Sequence, residues 1–249
     1  MPADHAHPLQ RRTAARITVV WNGLRDALDP PGAEGGLEVV DIGGGTGGFA
    51  VRVAELGHRV TVVDPSPDAL AILARRAEES GVADRVRAVQ GDLDTLPDVV
   101  PAGSADAVLC HGVLEIVDDP ARALAAIGTA LRTGGVLSLL VNQRHAAVVA
   151  RAMAGHFGQA KDLLDAAPGT APDHPRRFTV DELAALLDRA GFEPTATHAV
   201  RVFVDLVPSS LVDLEPGAAD RLVELELAVA GRPEYLALAT QVHTLATRR

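Results

Sequence analysis

Apolar runs and helical patterns alternate along the middle of the chain. Five short runs are typical of β-strands, and they span Leu37–Ile42, Arg59–Val63, Val86–Val89, Asp106–Cys110 and Gly135–Val141. The intervening segments have helical spacing or helix-start signals, and they predict helices over Phe49–Leu56, Pro67–Ser80 and Pro120–Leu131. Because a helix can return the chain to the start of the next parallel strand, this alternation predicts a parallel sheet with helices on both faces.

The segments on either side of this alternation have a different organisation. Apolar residues at helical spacing predict an N-terminal helix over Arg11–Leu28, which ends before Pro30-Pro31-Gly32. After the fifth strand we expect a helix over His145–Phe157, a loop over Asp165–Arg177, a helix over Thr179–Ala190, a strand over Phe192–Asp205, a helix over Pro216–Ala230 and a strand over Gln241–Thr247. Thr179 and Glu182 form the sequence pattern of a capping box.

Composition narrows the class of protein. The chain has 249 residues, 47% of them hydrophobic, which suits one large domain and excludes wholesale disorder. The single cysteine excludes a disulfide framework, and none of the nine histidines has zinc-site spacing, so we expect no metal. No apolar run approaches ~18 residues, and Met1–Gln10 lacks the apolar core of a secretory signal. We therefore expect a cytoplasmic protein with no membrane partner.

The net charge of −10 limits which partners the surface can bind. It excludes a uniformly basic surface that coats nucleic acid, but a local basic patch remains open.

A run of glycines in Val39–Phe49 carries the densest chemical signal. Gly43, Gly44, Gly45 and Gly47 lie between the first strand and the helix after it. Glycines there let the backbone turn sharply and approach a ligand closely, because a Cβ atom would clash. Asp64 ends the second strand, 21 residues after Gly43, where a carboxylate can accept both hydroxyls of a ribose.

Two further acids indicate which nucleotide fits this turn. Gly43, Gly45 and Gly48 also match G-x-G-x-x-G, so NAD has to be considered. Asp41, however, lies where the cationic amino group of a ligand could be held, and Asp92 follows the third strand, where an acid can meet an adenine edge. A ligand with an adenosine, an amino acid and no phosphate fits these acids better than a pyrophosphate does.

These residues resemble the class I S-adenosylmethionine (SAM) methyltransferases. The pattern D-x-G-x-G-x-G is met by Asp41, Gly43, Gly45 and Gly47. The resemblance implies an α/β fold, a doubly wound, Rossmann-like, seven-stranded sheet with an N-terminal helix and helical insertions after strand five. It divides one domain, 1–249, into an N-terminal helical segment (1–36), a SAM-binding core (37–141) and a region of substrate-side helices and C-terminal strands (142–249).

Blocks along the whole chain are similar to the bacterial tRNA 5-carboxymethoxyuridine methyltransferases. The blocks are His111–Pro120, Gly134–Leu139, Ala154–Phe157, Val200–Phe203, Leu222–Glu226 and Arg232–Tyr235. That family uses SAM to esterify the carboxylate of a modified uridine. The resemblance places SAM contacts on Arg16, Gly43, Gly44, Asp64, Asp92, Leu93 and His111, beside Asp41, Gly45 and Gly47. It implies that Arg16 binds the methionine carboxylate and that His111 hydrogen-bonds the cofactor or the substrate.

The chain departs from the family where a base could stack. Ile116 stands where the family has a tryptophan, and Asn142 stands where it has a tyrosine. Aromatic side chains are natural platforms for bases, so this departure weakens the RNA hypothesis but not the SAM hypothesis. If tRNA binds, the nearest basic side chains are Arg144, Arg151, Lys161, Arg176 and Arg177.

The chemistry of the acceptor decides which residues are needed for catalysis. A carboxylate is ionised at neutral pH, since its reference pKa is ~4, so it needs orientation rather than a base. Arg201, which we expect on a strand facing the cleft, is the first candidate clamp, and Arg144 and His145 are secondary candidates. A hydroxyl acceptor would instead need a base such as His111 or His145.

Several functions remain open from the sequence. The first is a SAM-dependent methyltransferase whose acceptor is tRNA or a small carboxylic or hydroxylic metabolite. The second is a SAM-binding module without turnover, and a weaker third is an NAD-dependent reductase.

Overall fold

One seven-stranded sheet organises the chain. The computed structural model describes residues 8–28, 35–166, 176–212 and 216–249. The strands are β1 (Glu38–Ile42), β2 (Arg59–Asp64), β3 (Val86–Gln90), β4 (Ala105–His111), β5 (Leu131–Asn142), β6 (Phe192–Val200) and β7 (Gln241–Arg248). Their order in the sheet is β3-β2-β1-β4-β5-β7-β6, and β7 is antiparallel to both of its neighbours. The predicted fold class is confirmed.

Helices cover both faces of this sheet. Their bounds are α1 (Pro8–Leu28), α2 (Ala50–Glu55), α3 (Pro67–Glu79), α4 (Leu96–Val99), α5 (Pro120–Ala130), α6 (Arg144–Met153), α7 (Phe157–Asp165), α8 (Val180–Arg189), α9 (Ser209–Val212), α10 (Ala218–Ala230) and α11 (Pro233–Leu236), with a 3₁₀ turn at Ala83–Arg85. The Thr179–Glu182 capping box forms at the start of α8. Among the described helices, none is both long and apolar enough for a membrane span.

Three predicted boundaries change by four residues or more in the structure. The helix expected over His145–Phe157 breaks after Met153, because Gly155 adopts a left-handed φ of 79°, and α7 starts a separate helix at Phe157. β5 begins four residues before Gly135, and the strand expected to reach Asp205 ends at Val200. The predicted turn at Pro30-Pro31-Gly32 and most of the predicted loop over Asp165–Arg177 lie outside the described residues.

Two apolar layers hold the helices on the sheet. On one face, α5 and α8 contribute Leu124, Ile127 and Leu187 to a cluster with the central strands. On the other face, α1 and α3 contribute Leu24 and Leu73. Each fully buried leucine or isoleucine contributes about 1.5–3 kcal/mol relative to an exposed one, so these layers fix which helix covers which strand.

The order of the strands determines where a ligand can bind. The chain proceeds outward from β1 to β2 and β3 on one side, and the connection to β4 then crosses to the other side of β1. The carboxyl ends of β1 and β4 therefore open a crevice at the point where the strand order reverses, which is the usual binding position in doubly wound sheets.

A buried glutamate fixes the chain where β6 ends. Glu226 of α10 is 0% exposed. Its Oε2 accepts a hydrogen bond from the N–H of Val202 (2.9 Å), and its Oε1 accepts from the N–H groups of Phe203 and Val204 (both 2.8 Å). These bonds replace the ladder that a continuing strand would make, and they explain why β6 stops at Val200.

We expect Glu226→Gln to destabilise the protein by about 2 kcal/mol or more, because the glutamine amide cannot accept from all three N–H groups and leaves a buried donor unpaired. Urea denaturation followed by circular dichroism measures this loss. Glu224→Gln on the exposed side of α10 is the matched control, and it should change the free energy of unfolding by less than about 0.5 kcal/mol. Equal stability of the two variants would contradict the anchoring role of Glu226.

Candidate active site

The glycine turn after β1 depends on backbone conformations that only glycine adopts easily. Gly43, Gly45 and Gly47 have φ values of 65°, 56° and 79°. A Cβ atom on Gly43 would also lie 2.5 Å from the Val113 side chain. Any side chain at these positions would strain the turn or displace its neighbours. The crevice is therefore lined here by glycine backbone without side chains.

Asp64 is fixed at the mouth of this turn. Its Oδ2 accepts from the N–H of Gly45 (2.9 Å), and its Oδ1 accepts from the N–H of Ser66 (2.9 Å). A carboxylate has about four lone-pair sites, so two remain for other donors. A pair of adjacent hydroxyls, such as those of a ribose, matches that remaining capacity.

Asp41 lies beneath the turn rather than on its surface. It is 3% exposed, and a Cβ on Gly44 would lie 2.5 Å from its Oδ2. Burial, and secondarily the charge of Asp64, raise the pKa of the Asp41 carboxyl to about 7, while Arg16 opposes the shift. Asp41 therefore requires Gly44 beside it, and a cationic group close by would favour its charged form.

Asp92 and Leu93 shape the side of the crevice that follows β3. Oδ1 of Asp92 accepts from the N–H groups of Asp94 and Thr95 (both 3.0 Å), and these bonds order the turn. The hydrogen bond from the Thr95 backbone is the main reason that the pKa of Asp92 is lowered. With Ile116 and Val117, Asp92 and Leu93 line a cavity of about 310 Å³, whose other lining residues include Asp94, Asp118, Asp119 and Arg122.

His111 closes the crevice at the end of β4. Its ring packs edge-on against Phe49, with centroids 4.9 Å apart, and its Nε2 is 2.8 Å from the Oγ of Ser138. Its Nδ1 is buried and has no hydrogen-bond partner among the described residues. Burial, and secondarily the charge of Arg16, lowers the pKa of His111 to about 3, so the ring is neutral at physiological pH.

Two guanidinium groups, Arg16 and Arg201, influence each other at this edge. Burial lowers the pKa of Arg16, Arg201 lowers it further, and Glu115 and Asp41 oppose the shift. The Nε atoms of both arginines are buried and lack a hydrogen-bond partner within the described parts of the chain. Two neighbouring cations, each with a buried donor that is unused, are suited to bind anions.

Arg201 does not lie on the predicted strand, so that expectation was wrong. Because β6 ends at Val200, Arg201 is not on a strand but in a turn, with a left-handed φ of 62°. Its guanidinium pairs with Asp205 at 2.8 Å, and Asp205 also binds Arg12 (2.7 Å) and the hydroxyl of Thr240 (2.7 Å). The side chain nevertheless reaches the predicted edge of the sheet, because Val200 pairs with Gln241 and Gln241 pairs with Asn142 at the end of β5.

The sequence analysis missed Glu115 and Gln241 as site residues. Glu115 is 1% exposed, its Oε1 accepts from the N–H of Asn142 (2.8 Å), and its Oε2 has no partner among the described residues. Burial raises the pKa of this carboxyl. The Oε1 of Gln241 is likewise buried and unpaired. The position of Glu115 shortly after β4 was a usable signal, whereas Gln241 reaches the site only through the pairing of β7.

The guanidinium of Arg144, the secondary clamp candidate, already has partners within the protein. Its side chain is 9% exposed and forms an ion pair with Glu182 at 2.8 Å, and it donates to the carbonyl oxygens of Ala166 and Arg177. The guanidinium of Arg176 donates to the carbonyl oxygen of Val117 (3.1 Å). Lys161 pairs with Asp165, and Arg151 bonds Gln159. Most of the basic side chains predicted to meet RNA therefore already have partners within the protein.

The described residues contain no group of three or more histidine, cysteine or acidic side chains that could hold a metal ion.

We expect the stability of the ligand-free protein to show the raised pKa of Asp41. A folded-state pKa of about 7, above the ~3.9 of the unfolded chain, gives stability that is present below pH 4 and is lost as pH rises through 7. Asp41→Asn removes this titration, so the variant should not lose stability in this way. Its free energy of unfolding relative to that of wild type should therefore rise by at least about 1 kcal/mol from pH 5 to pH 8. Urea denaturation at the two pH values measures it, and an unchanged difference would contradict the raised pKa.

Comparisons with known proteins agree with this geometry. Residues 40–139 match the family described as "Methyltransferase domain". The chain is 30% identical over 235 residues to the tRNA 5-carboxymethoxyuridine methyltransferase of Escherichia coli O157:H7, covering 94% of this chain and 88% of that protein. It is 33% identical over 199 residues to a ubiquinone biosynthesis O-methyltransferase of Dinoroseobacter shibae, covering 78% and 76%. A geranyl diphosphate methyltransferase in complex with SAM superposes with a TM-score of 0.62 at 19% identity, covering 100% of this chain and 93% of that one.

These similarities confirm the predicted cofactor, SAM, and the predicted activity class, methyl transfer. The residues present also fit that cofactor: an acid with capacity for two hydroxyls, a glycine turn without side chains, and a buried guanidinium with an unused donor. The chain belongs to the class I SAM-dependent methyltransferases, in the family of the bacterial tRNA 5-carboxymethoxyuridine methyltransferases.

Proposed function

We propose that this protein transfers the methyl group of SAM to a carboxylate oxygen, that of 5-carboxymethoxyuridine in tRNA. The similarity to the E. coli enzyme extends over nearly the whole chain, and it includes the segments after β5 that lie beyond the SAM-binding core. A resemblance confined to the core would support the cofactor alone.

The proposal assigns a role to each cofactor residue. Asp64 accepts from the ribose hydroxyls, Asp92 and Leu93 border the adenine, and Arg16 binds the methionine carboxylate. Gly43, Gly44, Gly45 and Gly47 keep the floor of the site free of side chains, and Asp41 lies beneath them. When bound, SAM supplies a methyl group on a sulfonium, an electrophile that needs no further activation.

The observation that carries the carboxylate acceptor is the pair Arg16 and Arg201. These guanidinium groups are close enough for Arg201 to lower the pKa of Arg16, and each has a buried, unpaired Nε. Like charges in a poorly solvated crevice are costly unless anions lie between them. The cofactor brings one carboxylate for Arg16, and an anion on the acceptor would bind the donors of Arg201 that Asp205 leaves free.

An ionised acceptor needs no general base from the protein. The attacking oxygen already carries charge, so the chain has to orient it and exclude water rather than remove a proton. Arg201 is suited to orientation because Asp205 fixes its guanidinium from one side, and Arg12 and Thr240 fix Asp205 in turn. A guanidinium fixed in this way can present planar donors to a carboxylate, which a flexible ammonium cannot do.

The same contacts limit how tRNA is held. Arg144 has a buried partner, and Arg151, Lys161 and Arg176 bond within the chain, so they are poorly suited to dense phosphate contacts. We infer that recognition depends mainly on the modified base and its carboxylate. Binding should then show a shallow salt dependence, since each phosphate contact adds a slope of roughly −0.7 on single strands.

A small hydroxylic acceptor is the second candidate. The unpaired, neutral Nδ1 of His111 favours it, because a hydroxyl acceptor needs a nearby base. The ubiquinone O-methyltransferase similarity supports the same alternative. The product distinguishes the two candidates, since a methyl ester is cleaved by mild alkali and a methyl ether is not.

We expect Asp64→Asn to weaken binding of SAM and of S-adenosylhomocysteine at least tenfold. The substitution keeps the shape of the side chain but removes the charge, and a hydrogen bond to a charged group contributes about 1.5–3 kcal/mol. Isothermal titration calorimetry measures both ligands. Asp68→Asn at the exposed start of α3 is the control and should bind as wild type does. An unchanged affinity for Asp64→Asn would remove Asp64 from the cofactor site.

We expect wild-type protein to transfer labelled methyl from SAM to tRNA that carries unesterified 5-carboxymethoxyuridine, as an alkali-labile product. Arg201→Lys should lower kcat/KM by about tenfold or more while SAM affinity stays within about twofold, because only the acceptor clamp is altered.

Arg12→Lys is the matched control for this assay, since Arg12 also pairs with Asp205 but is half exposed, and its transfer rate should remain within about threefold. Alkali-stable methyl on a small metabolite, with none on tRNA, would overturn the proposed acceptor. Loss of SAM binding in Arg201→Lys would instead place Arg201 in the cofactor site.

A further inference from the structure

A chain of polar side chains crosses the sheet from the crevice to its far edge. Nε2 of His111 is 2.8 Å from Oγ of Ser138, and the same Oγ is 2.8 Å from Nε2 of His243. Nδ1 of His243 is 3.2 Å from Nδ1 of His198. The four residues come from β4, β5, β7 and β6, which are adjacent in that order, so the chain spans four neighbouring strands.

The geometry between the rings suits hydrogen bonding. The centroids of His198 and His243 are 5.3 Å apart and their planes differ by 21°, while their Nδ1 atoms are only 3.2 Å apart, so the Nδ1 edges face each other. His111 and His243 are nearly perpendicular, with centroids 5.9 Å apart, and the Ser138 hydroxyl joins them. His243 is fully buried, as is Ser138.

Gly23 leaves room for the ring of His198, which is the outer end of this hydrogen-bonded series. Gly23 lies within α1, where glycine is unfavourable by about 1 kcal/mol relative to alanine. A Cβ atom at this position would lie 2.8 Å from Cε1 of His198. The missing side chain therefore lets α1 cover the imidazole without displacing it from His243.

All three rings are neutral at physiological pH. Burial lowers the pKa of each, and the neighbouring rings lower the pKa of His243 further. A neutral imidazole carries one N–H and one bare nitrogen, and a serine hydroxyl donates one hydrogen bond while it accepts others. The proton positions along the chain are therefore linked.

Only two arrangements make every bond with one donor and one acceptor while the hydroxyl links both rings. In the first, Ser138 donates to His111, His243 donates from Nε2 to Ser138, and His198 donates from Nδ1 to His243. Nδ1 of His111 then carries a proton toward the crevice. In the second, every bond is reversed, Nδ1 of His111 is bare, and Nε2 of His198 carries the proton instead.

We propose that His111, Ser138, His243 and His198 form a proton relay that lets His111 act either as a donor to an ionised acceptor or as a base toward a protonated one. For a hydroxyl acceptor, the oxygen displaces sulfur from the methyl group: the O–CH₃ bond forms while the S–CH₃ bond breaks and leaves its electron pair on sulfur. The acceptor O–H bond breaks in the same step, and Nδ1 of His111 takes the proton. The other protons each shift by one hydrogen bond, and Nε2 of His198 releases one to solvent. The four hydrogen-bonded side chains end in the first arrangement, so charge and protons balance. Ser138, His243 and His198 are positioning residues in this scheme.

The relay goes beyond the proposed carboxylate acceptor, because an ester-forming reaction needs only the first arrangement. It extends the chemistry available to the site to phenols and other hydroxyl groups. Its test requires no acceptor, so failure of the proposed tRNA function would leave the test intact.

The test uses long-range ¹H–¹⁵N NMR of the histidine rings in the full-length protein, saturated with S-adenosylhomocysteine. We expect the fraction of His111 with its proton on Nδ1 to equal the fractions of His243 with Nε2–H and of His198 with Nδ1–H. Lowering the pH until His198 becomes charged forces a proton onto its Nδ1, and His111 should then be entirely in the Nδ1–H form. His243 on β7 is the titratable group against His198, and α1 presents Gly23.

Ser138→Ala should abolish this correspondence, because the hydroxyl that transmits it is gone. Thr244→Val is the matched control. It removes a buried hydroxyl of β7 that does not belong to the proposed relay, and it should leave the fractions equal. Wild-type protein with Nε2–H on both His111 and His243 would overturn the relay. So would equal fractions that persist in Ser138→Ala, because the coupling would then not pass through Ser138.

Discussion

Charge buried without a partner is the constraint that shapes the carboxyl edge of the sheet. Removing an ion from water is costly, and an opposite charge repays that cost only at close range. At this edge Arg16, Arg201 and Glu115 each keep a buried polar atom without a partner among the described residues, and burial raises the pKa of Asp41. Because such an arrangement is poor for stability alone, its natural interpretation is a site completed by a zwitterionic cofactor and an anionic acceptor.

The elements that present these charges could be predicted where the signal is local. Strands buried on both faces appear as apolar runs, and the turn after β1 needs glycines whose φ values no other residue adopts easily. Asp64 was found for the same reason, because it ends a strand adjacent to that turn. The core fold therefore followed from the sequence, and the same local signals predicted the candidate residues on the cofactor side.

The acceptor side depends on contacts between distant residues, and there the predictions were weaker. The end of β6 is set by Glu226, which follows Val202 by 24 residues and shows no local signal. Arg201 was correctly placed near the site but wrongly placed on a strand, because apolar residues on both sides of it continue the strand pattern. Gln241 reaches the site only through its pairing with Asn142, whose N–H also bonds Glu115.

The first helix has a consequence for how this enzyme can diverge. α1 contributes Arg16 to the candidate site, Arg12 to the carboxylate that fixes Arg201, and Gly23 to the space around His198. It also packs on β6, β7 and α10, whereas the order of the strands is set by their own pairing. A lineage can therefore alter donor affinity and acceptor choice together by changes in one helix, but it cannot easily alter one property there without disturbing the other.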